Sequence, residues 1–230
     1  MDDRDRLSQM TAEEKAALVS GTDFMYTNPI PRLGIGQLCM ADGPHGLRKQ
    51  VGGADNGVSR SEPATAFPTA SALACGWNPE NARRMGEAIA EECRAYGVRL
   101  LLGPGVNIQR NPLCGRNFEY YSEDPLLSGL CAAADTRGVQ RHPGCGTTIK
   151  HFALNNQEDN RNHNNAYCTE HALREIYFKG FEIAVRTAQP LALMSSYKLV
   201  NGVHSANNRE LLTHILRDEG GCAGLVMPDW

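Results

Sequence analysis

The stretch NPENARRMGEAIAEECRAYGVRLLL, residues 78–102, sets the fold class of this chain. Asn78 and Pro79 are residue types preferred at the cap and first position of a helix, and Gly97 is a typical stop. Apolar residues recur between them at helical spacing, which predicts one buried helix face. The run at 98–102 is almost continuously apolar, as in a parallel strand that is buried on both faces. The stretch therefore predicts a helix followed by a buried strand.

The same alternation of helix and strand extends along the chain in both directions. Thr11 and Glu14 form a capping box that begins an early helix. Further helices are predicted near 122–138, 169–185 and 209–218, and six apolar runs are candidate strands: 38–41, 70–74, 98–102, 147–151, 191–195 and 224–228. Polar residues surround Asn201-Gly202, so we expect no tight hairpin between apolar runs. The alternation predicts a parallel α/β sheet, either open and doubly wound or closed into a barrel.

Composition and charge exclude several classes of protein. A chain of 230 residues with a net charge of −3 has no general attraction to nucleic acid or to anionic membranes. No apolar run approaches the roughly 20 residues of a membrane helix, and the charged start at 1–6 is unlike a secretory signal. No strand is followed by a glycine-rich nucleotide-binding motif. We therefore expect neither a nucleic acid nor a membrane partner.

Eight cysteines lie far apart in the sequence, and no two of them form a Cys-x-x-Cys pair. This spacing argues against a zinc cluster. Small buried thiols that fill the core in a reducing compartment are the preferred interpretation, so we predict a cytoplasmic location. Two polar stretches, 49–63 and 153–168, are predicted to be loops.

Polar and aromatic residues follow the predicted strands at the points where the strands end. They are Asp42, Arg110, Lys150, His151, Ser195, Ser196, Tyr197, Asp229 and Trp230. In a βα barrel these strand ends converge on one face, where active sites are built. Carboxylates and cations bind hydroxyl groups, and aromatic rings stack on C–H faces, so this mixture is suited to a sugar.

Five stretches of the chain resemble glycoside hydrolase family 3, specifically its multi-domain β-glucosidases. The stretches are DGPHGLR at 42–48, RNPLCGRNFEYYSEDP at 110–125, KHFALNNQE at 150–158, MSSY at 194–197 and VMPDW at 226–230. They occur in the family's order. The resemblance implies that residues 1–230 are a (β/α)8 TIM-barrel-like N-terminal domain. It also implies a retaining, exo-acting β-glycosidase, most often a β-glucosidase, that acts on a β-glucoside or a related oligosaccharide without a cofactor or metal.

The resemblance implies a role for each matching residue. Asp229 matches the nucleophile, which forms a covalent glycosyl-enzyme intermediate. The residues that match substrate-binding positions are Asp42, Arg110, Lys150, His151, Arg161, Met194, Tyr197 and Trp230. Arg116 and Glu119 match supporting positions, either as a salt bridge or as substrate contacts. Alternatives remain open for three residues: a loop salt bridge with Glu158 or Asp159 for Arg161, a core histidine for His151, and packing for Tyr197.

Physical chemistry adds one expectation about the nucleophile. A retaining glycosidase needs an ionised carboxylate and a second acid/base group, about 5–5.5 Å away. Cationic neighbours such as Lys150 and Arg161 are expected to hold the pKa of Asp229 down.

Two features depart from the family pattern. Pro228 stands where Ser or Thr is usual before the nucleophile. The family's acid/base group lies on a second, α/β sandwich domain beyond the nucleophile. We therefore expect a barrel domain truncated just after Asp229, with about six βα units, no acid/base residue of its own and its C-terminal domain missing as a partner. The 230-residue chain alone is expected to have little or no turnover.

Other functions remain open at this point. A β-xylosidase or α-arabinofuranosidase of the same family is one alternative. A non-catalytic carbohydrate-binding barrel domain is another, and a metal- or phosphate-dependent barrel enzyme is a third. A β-N-acetylhexosaminidase is disfavoured, because Lys150-His151-Phe152 continues as Ala153-Leu154 and lacks the histidine motif of those relatives.

Overall fold

The computed structural model describes residues 2–52 and 60–230. The predicted loop at 49–63 therefore falls partly outside the described residues. The described strands are β1 (Met40–Asp42), β2 (Leu100–Leu102), β3 (Gly146–Phe152), β4 (Asn165–Ala166), β5 (Ala192–Ser195), β6 (Leu199–Val200), β7 (Val203–His204) and β8 (Leu225–Met227).

Helical segments separate β1, β2, β3, β5 and β8 along the chain. The α-helices are α1 (Asp3–Gln9), α2 (Ala12–Leu18), α3 (Ala70–Cys75), α4 (Pro79–Ala95), α5 (Pro125–Gln140), α6 (Glu170–Ala172) and α7 (Lys179–Ala188). Segments with π-type hydrogen bonding are Leu173–Tyr177 and Glu210–Glu219, and short 3-10 turns are Pro31–Leu33, Asn117–Glu119 and Ser205–Asn207.

One parallel sheet holds the chain together. Its five strands lie in the order β1-β2-β3-β5-β8. Each strand of this sheet therefore pairs with the next strand of the sheet along the chain. The predicted α/β class with a parallel sheet is thus confirmed. The arrangement is that of a TIM-barrel-like domain, in which each strand is followed by a helix that covers the sheet.

The predicted strand at 70–74 is wrong, because these residues form helix α3. The Thr69 hydroxyl accepts a hydrogen bond from the backbone N–H of Ala72 and caps this helix. An apolar run of five residues does not distinguish a strand from a buried helix, and alanine has the highest helix propensity. The described sheet therefore contains five strands of the six that the sequence predicted.

The expectation that Asn201-Gly202 makes no tight hairpin is also wrong. β6 and β7 pair antiparallel across these two residues and, with β4, form a small second sheet. Asn201 has φ of 49° and Gly202 has φ of 90°, the positive values that a two-residue hairpin turn requires. The Asn201 side chain also bonds the backbone N–H and carbonyl of Cys168, so the turn is fixed despite its polar surroundings.

The helix ends agree with the sequence signals. The capping box of Thr11 and Glu14 is present, and Asn78 caps α4 with Pro79 in its first turn. α4 packs against α5 through glycines at close approach: a Cβ on Gly86 would lie 2.5 Å from the backbone oxygen of Asp135. The packed helices cover one face of the sheet. They leave the carboxyl ends of its strands uncovered, so side chains can project there.

Candidate active site

A cavity of about 300 Å³ lies at the carboxyl ends of the parallel strands. Each strand of the main sheet contributes at least one lining residue at or just beyond its end. The strand-end residues are Asp42 from β1, Leu102 from β2, Lys150 and His151 from β3, Met194 from β5 with Tyr197 just beyond it, and Asp229 with Trp230 after β8. The predicted convergence of strand ends is therefore what the fold produces.

Lys150 is the centre of the charge network in this cavity. Its ammonium group is nearly inaccessible and lies 2.7 Å from Asp42 Oδ1 and 3.4 Å from Glu119 Oε2. Burial acts to lower the pKa of Lys150, but the two carboxylates outweigh it and the net pKa is raised. Burial likewise acts to raise the pKa of Asp42, and the charge of Lys150 reverses this to a lowered pKa. Both groups are held in their charged forms.

Arg116 and Glu119 form a salt bridge beside this pair, as one of the two readings of the sequence expected. Glu119 is 3% exposed and is shared between Arg116 and Lys150. Arg116 also lines the cavity, so its guanidinium both pairs Glu119 and contributes positive charge near Asp229.

Asp229 is the carboxylate of the cavity that retains an uncommitted oxygen. Its Oδ1 accepts a hydrogen bond of 2.9 Å from the backbone N–H of Trp230. Within the described part of the chain, no hydrogen bond of ordinary geometry reaches its buried Oδ2, although the Tyr197 hydroxyl interacts with this carboxylate, and the nearest ionisable nitrogen is His151 Nε2 at 3.8 Å. This oxygen is therefore available to a bound molecule.

The pKa of Asp229 is raised, in contrast to the expectation from its cationic neighbours. Burial raises this pKa, and the charges of Arg116, Lys150 and Arg161 offset that effect only in part. The sequence-based expectation considered only the cations. It omitted desolvation, which raises the pKa of Asp229 because burial penalises the ionised form.

His151 is 1% exposed, and its ring nitrogens face different partners. Nδ1 lies 3.0 Å from the hydroxyl of Tyr120, and Nε2 faces Asp229. Burial and the nearby cations lower the pKa of His151 well below its usual value, so the ring is neutral at physiological pH. A neutral imidazole at this place can donate or accept a single hydrogen bond toward the cavity.

Arg161, Tyr197 and Trp230 form the outer wall. The Arg161 guanidinium stacks over the Tyr197 ring at 4.7 Å from its centroid and also lies 3.3 Å from Glu158 Oε2. The loop salt bridge that the sequence offered as an alternative thus exists together with a position in the cavity wall. Trp230 meets Phe24 edge to face, with ring centroids 5.1 Å apart.

Arg110 lies apart from the other predicted binding residues. It is exposed, and its Nη1 donates a hydrogen bond of 2.7 Å to the hydroxyl of Tyr177. It does not line the cavity, whereas Arg116, six residues later in the same motif, does. Ser195 and Ser196 are also outside it; Ser196 donates to the carbonyl of Ala153 and supports the loop after β3.

Sequence reasoning missed five lining residues: Phe24, Met25, Arg48, Gln50 and Leu102. Arg48 carries a recognisable signal: the turn that follows Asp42 contains Gly43 and Gly46 at positive φ, and the Arg48 N–H bonds the Asp42 carbonyl at 2.8 Å. The glycines permit a tight turn that brings a cation back beside the strand end. Phe24 and Met25 come from an irregular N-terminal segment with no such signal.

A second, wider cavity of about 790 Å³ adjoins the first. The two cavities share Asp42, Arg48, Arg116 and Arg161, and the wider one continues over His45, Glu62 and Phe118. The site is therefore a partly open pocket with a broad, charged approach.

Three further features concern metal ligands, membrane-spanning helices and cysteines. Across 2–52 and 60–230, no group of three or more His, Cys, Asp or Glu side chains could hold a metal ion. No described helix is long and apolar enough to cross a membrane. All eight cysteines are free; six are buried as expected for core residues, whereas Cys75 is exposed and Cys168 is half-buried.

Comparison with protein families gives one match over most of the chain. Residues 48–230 match the model described as the glycosyl hydrolase family 3 N terminal domain. Among curated proteins, thermostable beta-glucosidase B of Acetivibrio thermocellus is 52% identical over 225 residues, which is 97% of this chain and 30% of that protein. An exo-alpha-(1->6)-L-arabinopyranosidase of Bifidobacterium longum is 50% identical over 226 residues, with the same shares.

Solved structures give the same result. Beta-glucosidase 3B of Thermotoga neapolitana, solved in complex with glucose, superimposes with a TM-score of 0.91 at 45% identity, covering 99% of this chain and 33% of that one. A GH3 beta-glucosidase of Bifidobacterium adolescentis gives a TM-score of 0.89 at 52% identity, over 97% of this chain and 32% of that one. The chain spans about a third of the length of the relatives that it matches.

Proposed function

The chain belongs to glycosyl hydrolase family 3, and on that premise we propose that it is the nucleophile-bearing part of a retaining, exo-acting β-glucosidase. The observation that carries the proposal is the state of Asp229. One of its oxygens is oriented by a backbone N–H, and the other lies free in a cavity lined by cations, a neutral histidine and aromatic rings. A carboxylate placed in this way is suited to attack the anomeric carbon of a sugar.

The remaining side chains suit the binding of one terminal sugar unit. Asp42 and Lys150 are fixed in their charged forms by one another and offer an acceptor and donors to vicinal hydroxyls. Trp230 and Tyr197 offer apolar faces for the C–H side of the ring. The narrow cavity fits an exo mode of action, with the leaving group directed into the wider adjoining space.

The acid/base group of this reaction is proposed to come from outside these 230 residues. Of the carboxylates near the cavity, Asp42 has a lowered pKa and is therefore a poor proton donor, and Glu119 is already paired with Arg116 and Lys150. Glu158 is bonded to Asn155 and Arg161. The relatives are about three times as long as this chain, which gives room for a donor elsewhere. The 230-residue chain alone is therefore proposed to turn over slowly or not at all.

A 2-deoxy-2-fluoro-β-glucoside tests this proposal. It forms the covalent intermediate but releases it slowly, so intact-mass analysis of the complete protein should show one added fluoroglucosyl unit, and peptide mapping should find it on Asp229. An unmodified protein that still binds glucose would favour a carbohydrate-binding domain. Labelling at any other carboxylate would refute the assignment of Asp229.

A second specificity has support from one relative. The Bifidobacterium longum protein, named for an exo-acting L-arabinopyranosidase activity, is nearly as similar to this chain as the β-glucosidase is. A pentopyranoside would occupy the same cavity without the exocyclic hydroxymethyl group. Initial rates on matched aryl glycosides of glucose, xylose, arabinopyranose and arabinofuranose rank these possibilities; the proposal requires the glucoside to have the highest kcat/KM.

A further inference from the structure

His151 is held by a line of buried polar side chains that extends away from the cavity. The Tyr120 hydroxyl lies 3.0 Å from Nδ1 of the ring, and Asn155 Nδ2 lies 2.9 Å from the same hydroxyl. The other contact of Asn155 Nδ2 is Glu158 Oε1, at 2.8 Å. Tyr120 is fully buried and Asn155 is 1% exposed, so bulk water does not compete for these bonds.

The direction of each hydrogen bond follows from the carboxylate at the far end. Glu158 is paired with Arg161 at 3.3 Å and can only accept. The atom of the Asn155 side-chain amide that faces Glu158 is therefore the nitrogen. Its NH2 group donates one hydrogen bond to Glu158 and has a second N–H to donate to the Tyr120 hydroxyl. The Tyr120 oxygen accepts this hydrogen bond, and the hydroxyl has a single proton of its own to donate. Burial raises the pKa of Tyr120 well above its usual value, so the hydroxyl keeps its proton.

We infer that Tyr120 is a positioning residue: its hydroxyl donates to Nδ1 of His151, so that the proton of the neutral ring lies on Nε2 and points into the cavity toward Asp229. Nε2 is 3.8 Å from the free Oδ2 of Asp229, too far for a hydrogen bond but close enough for both to meet one bound hydroxyl. With this tautomer, His151 is a donor to that hydroxyl. The inference deepens the proposed function and rests on it for the identity of the bound group.

The opposite tautomer would disrupt the line of bonds. A proton on Nδ1 would face the Tyr120 hydroxyl, whose proton would then have no described acceptor, and Nε2 would present a lone pair to the Asp229 carboxylate. The Tyr120 proton and the Nε2 lone pair would then both lack a suitable partner in a buried site, which carries a high desolvation cost. The line from Glu158 to His151 therefore selects one tautomer of a ring that is otherwise free to adopt either.

The ring nitrogens of His151 can be observed directly in the complete protein labelled with 15N-histidine. We expect a spectrum in which Nε2 has the shift of a protonated nitrogen and Nδ1 that of an unprotonated acceptor, in the absence of any substrate. Asp229→Asn should not invert this pattern. A proton on Nδ1, or a doubly protonated ring near neutral pH, would overturn the inference without any use of activity.

Tyr120→Phe and Tyr121→Phe are a matched pair of variants. Both rings are buried and each hydroxyl makes a buried hydrogen bond, but that of Tyr121 goes to Asp135 Oδ2 at 2.8 Å and not to His151. Tyr120→Phe should move the two nitrogen shifts of His151 toward each other and reduce kcat/KM about tenfold, as the loss of one buried hydrogen bond does. Tyr121→Phe should leave the His151 shifts unchanged. Equal shift changes in both variants would show a general packing effect and overturn the inference.

Asn155→Leu tests the direction of the bonds with Tyr120 intact. The hydroxyl then loses its donor and can point either way, so both tautomers of His151 should become populated. A single Nε2–H tautomer in this variant would overturn the part assigned to Asn155. Should the complete protein have no glycosidase activity, the proposed function fails while the nitrogen shifts still decide the tautomer; should it be active with unmoved shifts in Tyr120→Phe, the inference alone fails.

Discussion

Asp42 and Asp229 lie at opposite edges of the same parallel sheet, at the ends of its first and last strands, and their chemical states differ. Asp42 is bonded to Lys150 at 2.7 Å, and its pKa is lowered. Asp229 has one oxygen without a described partner, and its pKa is raised. Both residues are aspartates near the carboxyl end of a strand: Asp42 is the last residue of β1, and Asp229 lies two residues beyond β8. The direct contact with a buried ammonium group, present at one edge and absent at the other, distinguishes the carboxylate that we propose to bind the sugar from the one that we propose as the nucleophile.

Asp135 shows what burial does to a carboxyl group when no cation is near. It is fully buried in α5 and accepts one hydrogen bond from Tyr121, and its pKa is raised to about 7 by desolvation. The three aspartates thus form a series. A direct ion pair outweighs the effect of burial on the pKa of Asp42, more distant cations offset it only in part for Asp229, and no described cation opposes it for Asp135. The series relates the direction of each pKa shift to the cations near the carboxyl group and indicates which side chains to change.

The largest expected effect comes from Asp229→Asn. The variant keeps the shape of the side chain but cannot attack the anomeric carbon, so kcat/KM of the complete protein on an aryl β-glucoside should fall by on the order of 10⁴ or more. Initial rates measure the loss, and an unchanged melting temperature shows that the fold is retained. A decrease of less than about tenfold would mean that another group is the nucleophile.

Lys150→Met removes the contact that distinguishes Asp42 from Asp229. The change leaves Asp42 without its partner and Glu119 with Arg116 alone; because the Asp42 side chain is 46% exposed, we expect a loss of about 2–3 kcal/mol, as for one hydrogen bond to a charged group. We expect a marked decrease in melting temperature, together with weaker sugar binding measured by calorimetry. Lys179→Met is the control, because Lys179 pairs with Glu182 at an exposed site and should change stability by less than about 1 kcal/mol. Equal losses in the two variants would contradict the network described for Lys150.

Asp135→Asn tests the effect of burial alone through its pH dependence. The folded pKa of about 7 lies above the unfolded value of about 4, so the unfolded state ionises first. The parent protein therefore loses stability as pH rises from about 4 to about 7, by up to about 4 kcal/mol, and is unaffected by this group below that range. The asparagine variant avoids the loss.

Thermal unfolding at pH 4 and pH 8 measures this difference. Asp135→Asn should be more stable than the parent at pH 8 and similar to it at pH 4. Leu113→Ala serves as the control, since Leu113 is exposed and has no titratable group, and the variant should show the same difference from the parent at both pH values. A constant difference for Asp135→Asn would mean that the hydrogen bond to Tyr121, and not the charge, determines its effect.

The smallest effect is expected from Arg161→Met. The Arg161 charge lowers the pKa of Asp229 less than the charges of Arg116 and Lys150 do, so its removal should raise that pKa and move the acidic limb of the kcat/KM profile upward by less than about one pH unit. Activity requires the ionised carboxylate, so the limb follows its pKa. Arg110→Met is the matched control, because Arg110 contacts Tyr177 outside the cavity. A shifted limb or a lost kcat/KM in the control would restore the substrate-binding role that its sequence motif predicts.

Much of the fold could be read from local signals in the sequence. The caps at Thr11 and Asn78 and the apolar run at 98–102 predicted their elements, because capping and two-sided burial leave local traces. Helix α3 differs from the predicted strand, since a stretch of five residues, four of them apolar, is too short to show a period. The hairpin at Asn201-Gly202 was dismissed for its polar neighbours, although the positive φ angles of the turn decide its formation.

The sequence by itself determined the chemistry that this site has available: a carboxylate after the last strand, a Lys-His pair at the end of β3, and the order of strands and helices that brings them to one face. Only the tertiary structure decided which partner each group meets. It assigned Lys150 to Asp42, Tyr120 to His151 and Arg116, in place of Arg110, to the cavity. Burial and distances between residues far apart in the chain set these pairings, and neither is encoded in any local pattern of residues.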